Sequence, residues 1–493
     1  MPRAPSLAAR ALLALALLAG FYLAALAVAA ALLWIPVSRW RGGAGLVPGD
    51  FLLAALAAFV VRGTFLVRAP RFEPPGPEVL PADQPELLAL IRRVAARLGT
   101  SMPRHVYLVP DVNAYVAEVG GFLGFGARRV VGVGLGLLAV QTVSQLEGTL
   151  AHELGHHAGG DTRLGGLAYR TRAAIARVVE SLDRTWISAP FRLYFVLYLR
   201  VTQGLSRQQE LAADRCGAAV AGAAAQIAAL ERASRSGVLF GSFLAEEVQP
   251  LLECGHRPYN LYDGFRAYEE ELAAQGRVAR VEAALAGGQT DPYDSHPSLA
   301  ERVTALRALG AATAPVDDRP ARSLLANAER LERELTATLT ARAAPGEHLE
   351  PVTWPDVAVR VFGPRLVEES RRHAARISRA YGGAATPDAA LRALAATLAR
   401  SHDEAAALVL EPDLAGVPAD ERGAYVEQIV GRALGALLGA SLVDRGGTWR
   451  SEVGRPLEVM LGAEVVAPYE VAAEALAHRD ALVETVLRPV DPA

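Results

Sequence analysis

The chain has 493 residues, of which 52% are hydrophobic, and a formal net charge of −3. Its length allows about two to four structural units at roughly 100–200 residues each, and its near-neutral charge argues against a nucleic-acid binder or an acidic solubilising tail. A mean hydropathy of +0.21 is high for a soluble protein and points to membrane segments.

The first element is an apolar run. From Ala11 to Pro36 no residue is charged, which at about 1.5 Å per residue is enough to cross a bilayer. The small-x-small triplet Ala27-Val28-Ala29 offers a signal-peptide alternative, but the run is longer than the roughly 15 residues of a signal h-region. A weaker stretch, Leu46–Val67, is interrupted by Asp50 and Arg62; with the short Arg39–Gly45 loop it makes a transmembrane hairpin over residues 1–67. Arg3 and Arg10 then share a side with Arg62, Arg68 and Arg71, against Arg39 and Arg41 in the loop. The positive-inside rule places the remainder in the cytoplasm of a multi-pass protein, read as a bacterial inner-membrane protein; without the second span the remainder faces the other side.

Residues 68–85 are rich in proline (Pro70, Pro74, Pro75, Pro77, Pro81, Pro85) and read as a linker. Apolar residues at helical spacing predict a helix over Glu86–Leu98, and β-like runs follow at His105–Val109 and Arg129–Val133. Then comes Ala151-His152-Glu153-Leu154-Gly155-His156-His157, an H-E-x-x-H motif. On a helix, His152 and His156 share a face and can converge on one metal ion, while Glu153, offset by about 100°, can reach a water without ligating the metal. Ser144 with Glu147 reads as a capping box for that helix, Val143, Leu146, Leu150 and Leu154 as its buried stripe, and Gly159-Gly160 as its stop. His157 points away from the metal face and reads as structural.

The apolar stretch Trp186–Leu205, broken by Arg192 and Arg200, reads as a core or membrane-surface helix, because two arginines are costly mid-bilayer. After it, Ser206 and Gln209 suggest a second capping box opening a new helix, with Glu210 in its first turn and Asp214 one turn later on the same face. Glu210 is the candidate third metal ligand that a catalytic site with two histidines still requires. Asp214 is placed to fix the tautomer of a ligand histidine.

H-E-L-G-H followed by S-R-x-x-E-x-x-A-D resembles family forty-eight of the metallopeptidases, membrane enzymes that include HtpX-type quality-control proteases and CAAX-prenyl endopeptidases. The resemblance covers roughly residues 80–310. It implies a gluzincin fold, one zinc ion per chain held by His152, His156 and Glu210, and Glu153 as the general base that hydrolyses internal peptide bonds. Asn113-Ala114-Tyr115 is similar to the family's segment beside the substrate-binding edge strand, which implies an extended protein or peptide substrate near Asn113. Ser295-His296-Pro297 with Arg302 is similar to its His-Pro segment, which suggests His296 as an oxyanion stabiliser and Arg302 as a partner of Asp214. The many spans of the prenyl-protein enzymes are absent from the sequence, which counts against prenylated substrates.

The expected class is therefore α+β, mainly helical: a zincin-like domain over 86–310 with a small edge-strand sheet, a linker with a helix over 311–356, and a helical C-terminal region over 357–493. In the latter two parts the patterns Leu324–Leu339 and Ala389–Leu398 read as helices, the second capped by Thr386-Pro387. Cys216 and Cys254 lack C-x-x-C spacing and read as free thiols, with a single bridge the alternative. A catalytically silent membrane sensor or scaffold of the same fold is the competing function, and intact Glu153 argues against it; the oligomeric state is not fixed by the sequence.

Overall fold

In the computed structural model the described residues are 7–65, 72–119, 128–156, 175, 188–288, 297–310, 315–409, 422–477 and 482–489. They form two compact units, residues 1–238 with 279–328 and residues 239–278 with 329–493. Residues up to 328 pack with the first unit, and 239–278 pack with the second.

The first unit opens with α1 (Leu7–Arg41) and α2 (Pro48–Phe65). In the first turn of α2 Asp50 is buried, accepts a hydrogen bond from the Val47 amide at 2.8 Å and lies 3.6 Å from Arg39 Nε. These contacts explain how a carboxylate is tolerated at the start of an apolar helix. By length and composition, two helices could cross a membrane among the described residues: Ala19–Arg41, and Gly423–Asp444 in the second unit. The latter buries 61% of its apolar window, and Val430, Leu434, Leu437, Leu438 and Leu442 belong to that unit's core, so it is accounted for as a core helix.

Next come α3 (Pro85–Arg97), the strands β1 (His105–Val109), β2 (Ala114–Val119) and β3 (Arg128–Gly134), and the short α4 (Leu135–Val140). The sheet order is β1-β3-β2, with β1 parallel and β2 antiparallel to β3. The outer edge of β1 is covered by the end of the linker, where Leu108 N donates to Pro77 O and Val79 N to Val106 O. Strand β2 is the other edge, and no further strand pairs with it among the described residues.

Helix α5 (Val143–Gly155) carries the metal motif, and Val143, Leu146, Leu150 and Leu154 are buried as their spacing predicted. Its capping box is formed by Thr142 and Gln145, not by Ser144 and Glu147. Two tertiary contacts decide this. Ser144 Oγ accepts from the Asp317 amide at 2.7 Å, and Glu147 is taken by Arg93 and Arg97 of α3. The amides of Val143 and Ser144 donate to the carbonyls of Arg319 and Asp317, so residues 317–319 strap the helix start and satisfy groups a helix cannot satisfy by itself.

The expected second capping box does not form either. Helix α6 runs unbroken from Ser188 to Ala221, through Ser206 and Gln209, and Glu210 sits deep inside it. The early turns of α6 are held by tertiary packing. Tyr194 donates to the Leu17 carbonyl, and Tyr198 is fully buried in an apolar cluster with Phe21, Ala25 and Val60 of the hairpin. Leu193 and Leu197, by contrast, face outward. The stretch read as a core or surface helix therefore packs on the α1–α2 hairpin; Trp186 and Ile187 fall outside the described residues. Gly222, at φ +88°, turns the chain directly from α6 into α7 (Ala223–Phe243).

In the second unit, the 261–274 helix docks on the 328–343 helix through buried polar groups. Asn260 Nδ2 and Arg266 Nη1 both donate to Glu332, at 2.9 and 3.1 Å, and Trp354 Nε1 donates to Asn260 O. Phe243, Leu251, Tyr262, Phe265 and Tyr268 are buried there. The helix over Pro387–Leu398 is capped by Thr386 as its sequence predicted, and Cys216 and Cys254 are free thiols. A chain ended at residue 310 is expected to aggregate or be digested rapidly. It would lose both the strap on α5 and the partners of those five large side chains, each worth about 1.5–3 kcal/mol of burial. Size-exclusion chromatography and limited proteolysis against the full chain check this; a monodisperse, protease-resistant fragment would refute it.

Candidate metal centre

The site is built from two helices that nearly touch. A Cβ placed on Gly155 of α5 would lie 2.8 Å from Cys216 Cβ on α6, so the glycine inside the H-E-L-G-H motif permits the approach. His152 is buried on α5, and His156 is its C-cap, still in helical conformation, so the i, i+4 relation survives to the helix end. Their Nε2 atoms lie 3.2 Å apart. Glu210 of α6 offers Oε2 at 3.6 Å from His152 Nε2 and Oε1 at 3.6 Å from His156 Nε2.

Donors at about 2.0–2.1 Å from a tetrahedral metal ion are separated by about 3.3–3.4 Å. The 3.2 Å between the two histidine nitrogens is close to that figure, each of them has a Glu210 oxygen at 3.6 Å, and the three residues form the metal-capable cluster found among the described residues. Two imidazole nitrogens and one carboxylate are a donor set suited to such an ion. Glu153 stands beside the cluster. Its Oε1 is 4.0 Å from His152 Nε2, and its side chain is partly exposed.

The back of the site is a dense polar arrangement. Asp214, one turn after Glu210, is 1% exposed and lies 3.0 Å from His152 Nδ1. This contact assigns the proton to Nδ1 and leaves Nε2 free for a metal. Arg302, from the helix Leu299–Arg307, grips the same carboxylate with Nε at 2.8 Å and Nη2 at 2.7 Å, while Nη1 lies 3.7 Å from Glu210. Burial opposes ionisation of Asp214, but the hydrogen bonds from Arg302 and His152, with their charges, outweigh it and hold the carboxyl at about 2. The half-buried Arg302 stays charged: burial works against it, and Asp214 and Glu210 raise its pKa nonetheless.

Of the other candidates, Asn113 is exposed at the entry to β2, where its carbonyl accepts from Gly134 N at 2.8 Å. His296, His157, Gly159 and Gly160 lie outside the described residues. One buried residue had no sequence signal pointing to it. Gln226 of α7 donates through Nε2 to Asp214 Oδ1 at 3.3 Å, and a glutamine in an alanine-rich helix has no ligand spacing to mark it.

The profile of peptidase family M48 matches residues 81–310. A protein named Protease HtpX from Stenotrophomonas maltophilia (strain R551-3) is 30% identical over 255 residues, covering 46% of this chain and 74% of that protein. The chain belongs to peptidase family M48. Other relatives with the same name bracket this M48 peptidase at similar distance. The one from Alkalilimnicola ehrlichii is 27% identical over 285 residues, 52% of this chain and 79% of the relative. The one from Xanthomonas axonopodis pv. citri is 28% identical over 287 residues, 53% and 82% respectively. No solved structure matches the M48 chain.

Proposed function

We propose that this M48 peptidase is a membrane-anchored zinc metalloendopeptidase of gluzincin type that cleaves internal peptide bonds in membrane or misfolded proteins. The observation that carries the reading is the triad itself: His152 Nε2 and His156 Nε2 stand 3.2 Å apart, and each lies 3.6 Å from one of the two Glu210 oxygens, beside a carboxylate that is not among them. When bound, zinc supplies Lewis-acid polarisation of the scissile carbonyl and acidifies water.

The chain's own residues do the rest. Glu153 takes the proton of the attacking water and passes it to the leaving amine. Asp214 keeps the Nδ1 proton on His152, and Arg302 neutralises the carboxylates behind the site. An extended substrate adds a strand to the edge of β2 that no strand pairs with among the described residues, where backbone groups offer ready-made pairing partners. The long apolar α1, the α2 turn and the outward-facing leucines of α6 support a bilayer anchor, with the peptidase unit on the cytoplasmic face of a bacterial inner membrane.

The test is metal removal. Protein purified in detergent is expected to hold one zinc per chain and to cleave casein. Treatment with a chelator should abolish cleavage, and stoichiometric zinc should restore it. Purified protein without zinc, or cleavage that survives zinc removal, would sink the proposal.

A further inference from the structure

The amide of Gln226 occupies a slot cut for it between the two ligand-bearing helices. The residue is 0% exposed. A Cβ on Gly148 of α5 would fall 2.6 Å from Gln226 Oε1, and one on Gly217 of α6 would fall 2.2 Å from it. Both glycines thus leave the room that the amide occupies, one a turn before His152 and the other beyond Asp214. The positive-φ turn at Gly222 folds α7 back so that Gln226, four residues on, reaches this slot.

The two ends of the amide are treated differently. Oε1 faces the glycine backbones and has no hydrogen-bond partner among the described residues, whereas Nε2 points at Asp214 Oδ1, 3.3 Å away. A buried unsatisfied oxygen costs free energy that a leucine or methionine of similar volume would not. What the amide offers over them is the donor. With it, Asp214 receives Gln226, His152 Nδ1 and both arms of Arg302. Three of these donors, Gln226 Nε2, His152 Nδ1 and Arg302 Nη2, converge on Oδ1, while Arg302 Nε holds Oδ2, so rotating the carboxylate would break contacts at both oxygens.

We infer that Gln226 is a positioning residue of the metal centre: it locks Asp214, and through it the His152 ring, in the orientation that receives the ion. The inference rests on the zinc-peptidase reading and adds to it a residue outside the ligand motifs. Loss of an outer partner of a metal-binding histidine lowers metal affinity by about 10–100-fold.

The experiment compares the full-length zinc-loaded parent with Gln226→Met and Gln226→Leu, which keep bulk and remove the donor. Zinc release to a chelator, thermal unfolding, and kcat and KM on casein are measured. Zinc release about 10-fold faster or more, with a near-parental melting temperature and a fall in kcat at unchanged KM, is expected from at least one variant. Parental release and turnover in a folded variant would overturn the positioning role while leaving the peptidase reading intact. Failure of both variants to fold, with or without zinc, would make Gln226 a packing residue and overturn it as well. A parent without zinc would instead defeat the peptidase reading, and this inference with it.

Discussion

Glu153→Gln is expected to keep a full complement of zinc and to lose casein turnover by about 10²–10⁴-fold, the range a positioned general base contributes. The geometry separates the two properties. Glu153 shares α5 with His152 and His156 but projects from a different angle, and its Oε1 lies 4.0 Å from His152 Nε2, farther than the Glu210 oxygens lie from either histidine. Its partial exposure leaves it in reach of water, as a proton acceptor must be. Glutamine preserves length and shape and removes the capacity to take a proton. Metal analysis and initial rates on the same preparations decide the matter. Zinc loss in the variant would make Glu153 a ligand, and undiminished turnover would remove it from the mechanism.

Arg302→Met should produce the largest loss of stability, about 3–5 kcal/mol, which is what breaking a buried ion pair from one side costs. At a few degrees per kcal/mol, that corresponds to a fall in melting temperature on the order of 10 °C for a unit of this size. The reason is the environment left behind. Asp214 is 1% exposed, and without the guanidinium its charge would face Glu210 with only His152 and Gln226 as donors.

The pH dependence carries a sign. The Asp214 carboxyl sits at about 2, below the ordinary 3.8, so its ionised form stabilises the fold. That contribution is complete above about pH 4 and is lost as pH falls through about 2. Removing Arg302 abolishes most of the depression, so the deficit of the variant should be greatest near neutrality and shrink as the pH is lowered through that window. Adding Asp214→Asn to Arg302→Met should recover much of the stability, because no uncompensated charge remains. Thermal melts across pH check both statements; a pH-independent deficit would refute the electrostatic account.

The sequence by itself determined what local periodicity can carry. The four-residue spacing of His152 and His156 fixes them on one helix face wherever that helix sits, and Glu153 is offset by the same geometry. The apolar stripe of α5, the strand β1 at His105–Val109 and the Thr386 cap are equally local, and each appears where its pattern placed it. Glu210 and Asp214 were legible through a second motif, and their i, i+4 relation survived even though the helix expected to begin beside them does not.

Tertiary structure decided the rest. Two capping boxes compete at the start of α5, and the strap at residues 317–319 with the arginines of α3 selects Thr142. No breaker or cap interrupts α6, because Tyr194 and Tyr198 anchor its early turns to the hairpin. Residues 239–278 join the second unit because Asn260, Arg266 and Trp354 find their partners there. Arg302 reaches Asp214 across 88 residues, and Gln226 reaches it from a helix with no motif. None of these contacts leaves a period in the sequence, since each depends on which surfaces meet once long loops have closed and buried charges must find partners.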